Sequence, residues 1–126
     1  MDSTKRVAIA DLIGIPFEFG GRGPDSFDCY GLLMEMYSRI GKSIPDYGSA
    51  SKGATIIAMM LGRLSEWKEV VERPGTALLI KLPKSMHVGF VLPYGKFIHT
   101  NKMTGGVTIE SLRIWTRRIL GYYEPL

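Results

Sequence analysis

One cysteine, Cys29, stands in a chain of 126 residues, so no disulfide forms within it and packing alone must hold the fold. Histidine is almost as scarce, with only His87 and His99. No run of about 18 apolar residues occurs, which excludes a membrane-spanning helix. The opening MDSTKRVAIADLIG lacks both a long apolar stretch and a small-residue cleavage signature, so a cleaved secretory signal is not expected. A role outside a cytoplasm would then require delivery by something other than a signal of its own. Internal repeats, low-complexity tracts and linkers are also lacking. One domain over residues 1–126 is the expectation.

The charge is unconcentrated too. Sixteen Lys and Arg against twelve Asp and Glu give a formal +4, scattered except for Lys5-Arg6 and Arg117-Arg118. Nucleic-acid binders gather their cations on a face or stripe, so no nucleic-acid partner is expected. A mildly basic surface remains compatible with a polyanion such as bacterial cell wall.

What is present has a clear order. Ser3 can cap a first short helix carrying Val7, Ile9, Ala10 and Ile13. Residues 15–23, with Pro16, Gly20, Gly21 and Gly23, read as loop. From Asp28, Leu32, Leu33, Met36, Tyr37 and Ile40 form one broad helical face that Gly41 ends. A second short helix is expected between Gly53 and Gly62. Strand texture follows at Trp67–Val71, Thr76–Leu82, His87–Leu92, Lys96–Thr100 and Val107–Ile109, ahead of a terminal segment from Ser111 to Tyr123. Helices first and antiparallel strands afterwards predict an α+β fold, with N-terminal helices packed on a central antiparallel sheet.

Both histidines fall in one candidate hairpin, HVGFVLPYGKFIHT. A three-residue loop at Pro93-Tyr94-Gly95 pairs residue 92 with 96 and therefore 89 with 99. His87 and His99 then share a face as diagonal neighbours, about 7–8 Å apart at Cα. A two-residue loop would send them to opposite faces. A single histidine at a strand end is ordinarily a satisfied polar residue; two on one hairpin face weigh toward a site.

Cys29 in FDCYGLLMEM follows Asp28, a natural N-cap, at the start of the expected helix. A helix N-terminus and a neighbouring imidazolium both favour the thiolate. His87 would supply that imidazole and act as base, and His99 would hold its ring. The unpaired backbone N–H of Cys29 would serve an oxyanion. On these terms Cys29 should react with thiol reagents at about pH 6 far faster than an ordinary cysteine. The alternatives are an inert core cysteine, an Asp28 that only caps, and a zinc site from Cys29, His87 and His99. Zinc lacks a short-spaced ligand pair in the sequence. Phe17, Phe19, Tyr30 and Trp67 are candidates for a groove wall, although aromatic residues at such positions commonly belong to the core.

GIPFEFGGRGPDSFDCYGLL followed by HVGFVLPYGKFIHT resembles the NlpC/P60 cell-wall peptidases, a papain-like family, over nearly the whole chain. The compact GRGPDxFDC form resembles most the versions associated with bacteriophage tails. The resemblance implies Cys29 as nucleophile, His87 as general base and His99 as the orienting third residue. Phe17, Asp28 and Tyr30 would contact substrate. It further implies cleavage of a peptidoglycan stem-peptide amide, often D-glutamyl–diamino acid, without metal or organic cofactor. Its expected partners are peptidoglycan and phage tail or tail-tip proteins. Its expected place is the virion tail or the infected host's cytoplasm during assembly, with action in the cell wall; no separate wall-binding module is visible. Two positions depart from the family: Phe17 stands where a tyrosine often lends its hydroxyl, and PGT at 74–76 replaces PGD. A structural or assembly role with weak or lost catalysis, and thiol chemistry on a different amide or ester, stand as alternatives.

Overall fold

The computed structural model describes residues 8–47, 64–83 and 85–126. Its helix α1 runs Cys29–Arg39, and the strands are β1 Trp67–Val70, β2 Ala77–Lys81, β3 Met86–Leu92, β4 Lys96–His99, β5 Thr108–Ser111 and β6 Ile119–Pro125. They form one antiparallel sheet in the order β1-β6-β2-β3-β4-β5. The α+β expectation holds, with an antiparallel sheet and few helices.

Alternation along β2, β3 and β4 is apolar on both faces, because both faces are covered. On one side α1 lays Tyr30, Leu33, Met36 and Tyr37 among Ala77, Leu79, Val88, Phe90 and Ile98. On the other, Leu78, Ile80, Val91 and Phe97 pack with Leu112, near Trp115 and Ile119. The sheet is thus the middle layer of the core.

Local chemistry sets the ends of α1. Asp28 is the N-cap, its carboxylate accepting the Gly31 N–H at 2.6 Å. At the other end Gly41 adopts φ +83°, and the Lys42 N–H donates to the Tyr37 carbonyl at 2.8 Å, closing the last turn. The β3–β4 hairpin has the expected three-residue loop, with Leu92 opposite Lys96, Val91 opposite Phe97 and Phe90 opposite Ile98.

Three expectations are revised, and one lies beyond what the structure describes. The described part of the first expected helix, residues 10–14, is a series of turns, held by Leu12 N–H to Ile9 and Ile15 N–H to Leu12; Ser3 and Val7 lie outside the described residues. The helix expected between Gly53 and Gly62 also lies outside them. The fifth strand extends to Ser111 rather than ending at Ile109. The terminal segment is not one element: a one-turn helix, Leu112–Trp115, gives way to a 3-10 turn and then to β6. Strand β6 fits between β1 and β2, pairing Tyr122 with both Val70 and Leu78. Its half-exposed, weakly alternating ILGYYEP concealed that place.

Gly31 is where the loop before α1 meets the helix. A Cβ there would lie 2.1 Å from the Gly21 carbonyl oxygen, a backbone atom that cannot swing away. Gly31→Ala should therefore destabilise the protein by about 3 kcal/mol or more, read from the urea midpoint. A change of a few tenths would mean that the loop lifts off at no cost.

Candidate functional site

The site begins at a buried carboxylate. Asp28 is 0% exposed. Besides Gly31, it accepts the Gly20 N–H at 3.1 Å, and Arg22 Nη1 donates to both its oxygens at 2.8 Å. The same guanidinium reaches Asp46. These bonds fold the glycine-rich segment against the first turn of α1 and fix Cys29 immediately after the cap.

Cys29 is 6% exposed. Backbone N–H groups of Val88, Tyr30 and Cys29 itself point at its sulfur. Val88 is available for a specific reason. The N–H of Val91 faces the β2 side, bonding Thr76. By alternation the N–H of Val88 faces β4, but the β3–β4 ladder stops at Phe90–Ile98, one rung short. The strands part there, and the free donor serves the cysteine.

The two histidines meet beside the same gap. His87 Nε2 lies 2.8 Å from His99 Nδ1. His99 is fully buried, its ring stacked obliquely on Phe97 at 4.5 Å and edge-on to Trp115 at 6.1 Å. Gly89, between them on their face, leaves this room: a Cβ would sit 2.8 Å from Phe97 Cδ2 and 3.3 Å from His99 Cβ. A further side chain completes the row. His99 Nε2 bonds Glu110 Oε2. Glu110 lies one residue past the strand expected at 107–109, so that expectation does not reach it. Pairing of Phe97 with Glu110 puts it on the histidine side of β5; strand alternation from Thr108 was the available signal.

Burial decides the charge states. The Cys29 thiol is pushed up to about 12, first by loss of solvation and then by the Asp28 charge, against the pull of the backbone donors. His87 is pushed down to about 3, by burial and by neighbouring His99. Burial also lowers His99, with Glu110 opposing. The resting pair is thus a neutral thiol and a neutral imidazole, rather than the thiolate and imidazolium expected from the helix start.

Other expected contacts turn inward. Asp28 has its oxygens committed to Arg22, Gly20 and Gly31 and offers no face to substrate. Tyr30 is 0% exposed, its hydroxyl donating to the Pro45 carbonyl at 2.6 Å. Trp67 is buried, its indole N–H donating to the Tyr47 hydroxyl. Phe17 is half-buried and packs edge-to-face on Phe19, which is exposed; it bridges to Phe27, two residues before Cys29. Those two rings are the groove candidates at the surface. Thr76 of the PGT stretch donates its hydroxyl to the Arg73 carbonyl and so builds the turn before β2. Among the described residues, no group of three or more His, Cys, Asp or Glu is set to hold a metal ion, and no helix is long and apolar enough to cross a membrane.

Comparison with known proteins places this geometry. The NlpC/P60 family model matches residues 14–124. The chain belongs to the NlpC/P60 family. A probable endopeptidase p60 of Listeria welshimeri is 26% identical over 113 residues, 87% of this chain and 20% of that protein. The chain spans a fifth or less of the length of the first curated relatives it matches. Among solved structures, a lipoprotein-like NLP/P60 protein of Staphylococcus aureus superposes with TM-score 0.69 at 23% identity, over 100% of this chain and 42% of that one. RipD of Mycobacterium tuberculosis, described as a non-catalytic NlpC/p60 domain protein adapted to peptidoglycan binding, superposes with TM-score 0.64 at 18% identity, over 100% and 99%.

Two outcomes follow from the charge states. Alkylation of Cys29 by iodoacetamide should be slow near neutral pH and rise only under strongly alkaline conditions; rapid labelling at about pH 6 would overturn the neutral pair. Stability should also fall in acid. Between His87's ordinary 6.5 and about 3, the unfolded chain binds a proton that the folded one refuses, so stability is lost as pH falls through that window. His87→Asn should remove His87's share of the slope, at most about 1.4 kcal/mol per pH unit, measured by urea unfolding across the window.

Proposed function

We propose that this NlpC/P60 chain hydrolyses an amide bond in peptidoglycan, with Cys29 as nucleophile, His87 as general base and His99 orienting it. The observation that carries this is at one break in the β3–β4 ladder: the sulfur at the helix start is met by the N–H of Val88, the residue next to His87 of the bonded His87–His99 pair. Endopeptidase-named relatives such as Listeria p60 support hydrolysis of a peptide amide.

Nε2 of His87 is engaged with His99, so Nδ1 takes the thiol proton as sulfur attacks the carbonyl carbon. Because both partners rest neutral, proton transfer accompanies attack. Negative charge gathering on the carbonyl oxygen is met by backbone N–H at the helix start. The oxyanion collapses, the C–N bond breaks, and His87 returns its proton to the departing amine. Water then attacks the thioester, giving its proton to His87, and the thiol leaves reprotonated. Phe17 offers no hydroxyl to the oxyanion; a missing side-chain donor of that kind costs roughly 10²–10³ in rate.

In finer detail, the bond is D-glutamyl–diamino acid and the setting is a bacteriophage tail, with tail or tail-tip proteins as neighbours. The chain would reside in the virion, or in the host cytoplasm during assembly, and act on the wall. The compact GRGPDSFDC stretch supports that setting, and the formal +4 suits an anionic wall. A second reading, a wall-binding or tail-tip structural domain without turnover, is favoured by two observations: the deeply buried neutral thiol and the phenylalanine at 17. RipD is a member of this fold described in such terms.

Mass spectrometry of fragments released from diaminopimelate-type peptidoglycan decides between them. Wild-type protein should release stem-peptide fragments whose new ends identify the bond, and Cys29→Ala should release none. Absence of fragments from a folded wild-type protein that still sediments with the wall would favour the binding reading.

A further inference from the structure

We infer that Glu110 is a positioning residue that selects the tautomer of both histidines, so that His87 presents a bare Nδ1 to the cysteine. The inference rests on the catalytic reading proposed above and deepens it.

The row runs Glu110 Oε2 to His99 Nε2, and His99 Nδ1 to His87 Nε2. Between the two rings lies one bond and room for one proton. Two neutral arrangements satisfy it. In the first, His87 carries its proton on Nε2 and donates to His99 Nδ1; His99 then carries its own on Nε2. In the second both protons move to the δ nitrogens, leaving His99 Nε2 bare and His87 Nδ1 occupied. Nothing within the histidine pair distinguishes these, since each ring is equally an acceptor and a donor.

Glu110 does distinguish them. An ionised carboxylate only accepts. Facing it, a bare Nε2 would set lone pair against lone pair, whereas an Nε2–H forms a charge-assisted bond. The first arrangement is therefore selected, and the selection passes through His99 to His87. Its consequence lies at the far end of the row: Nδ1 of His87 is left unprotonated, the state in which it can take a thiol proton. The second arrangement would point an N–H there and leave no base.

Position supports a tuned contact. His99 is fully buried, while the Glu110 side chain stays 28% exposed. Its solvated edge spares the carboxylate the desolvation that a fourth interior group would suffer. The Arg118 guanidinium lies over the Trp115 ring at 5.9 Å, the ring that His99 meets edge-on.

The chain's two histidines make the test direct, since ring-nitrogen NMR shows two imidazoles. In wild type near neutral pH both rings should be Nε2–H tautomers. Glu110→Gln is nearly isosteric, but its amide both donates and accepts, so it removes the selection while keeping the shape. Both rings should then shift toward tautomer mixtures, and Glu110→Asp should restore the bias in part. The same Gln variant should lose about 10- to 100-fold in kcat with KM little changed. A wild-type His99 protonated on Nδ1, or a Glu110→Gln protein with both rings unchanged, overturns the inference. The ring measurement needs no turnover. Failure of wild type to cut peptidoglycan would count against the hydrolase assignment, and the nitrogens would still decide the role of Glu110.

Discussion

The carboxylate of Asp28 is the constraint on which the rest depends. It is a fully buried anion, and such a group is tolerated only when its lone pairs are met. Arg22 and the N–H groups of Gly20 and Gly31 meet them, and in doing so join the loop to the helix start alongside the Asp28 N–H bond to the Gly21 carbonyl. The glycines follow from that junction, because the Gly21 carbonyl lies against Gly31 with no space for a side chain. The placement of Cys29 follows as well: it is the first residue after the cap, and its sulfur is carried to the strand that bears His87.

That arrangement sets two electrostatic effects against each other. Helix N–H groups and the Val88 donor favour a thiolate, while the capping carboxylate and the dry surroundings oppose it. Burial is the larger, and it acts on His87 in the same sense by disfavouring the cation. In the proposed reaction, then, charge separates only when a carbonyl is present to receive the sulfur. Such a site trades the standing reactivity of an exposed thiolate for protection from adventitious oxidation.

Much of this was legible in the sequence where local rules act alone. The cap at Asp28, the stop at Gly41 and the hairpin register from the three-residue loop each depend on a few adjacent residues and period-two geometry. The partnership of His87 with His99 followed from that register. What was not legible depends on distant chain segments. Strand β6 is weakly patterned because its neighbours, β1 and β2, are separated from it by some forty residues or more and supply the pairing that its own sequence does not announce. Asp28, Tyr30 and Trp67 have chemistry suited to binding, but their partners Arg22, Pro45 and Tyr47 are brought in by tertiary folding. Glu110 was hidden by a single residue of strand length.

The insertion of β6 between β1 and β2 also governs the order in which the molecule can be built. Residues 77–99 can form their hairpins as local events. The β2 edge nevertheless stays unpaired, and β1 has no neighbour, until residues 119–125 emerge and fit between them. An open edge of Ala-Leu-Leu-Ile-Lys is an invitation to strands from other chains. From the synthesis of residues 77–81 until that of residues 119–125, the nascent polypeptide therefore carries an unshielded apolar strand.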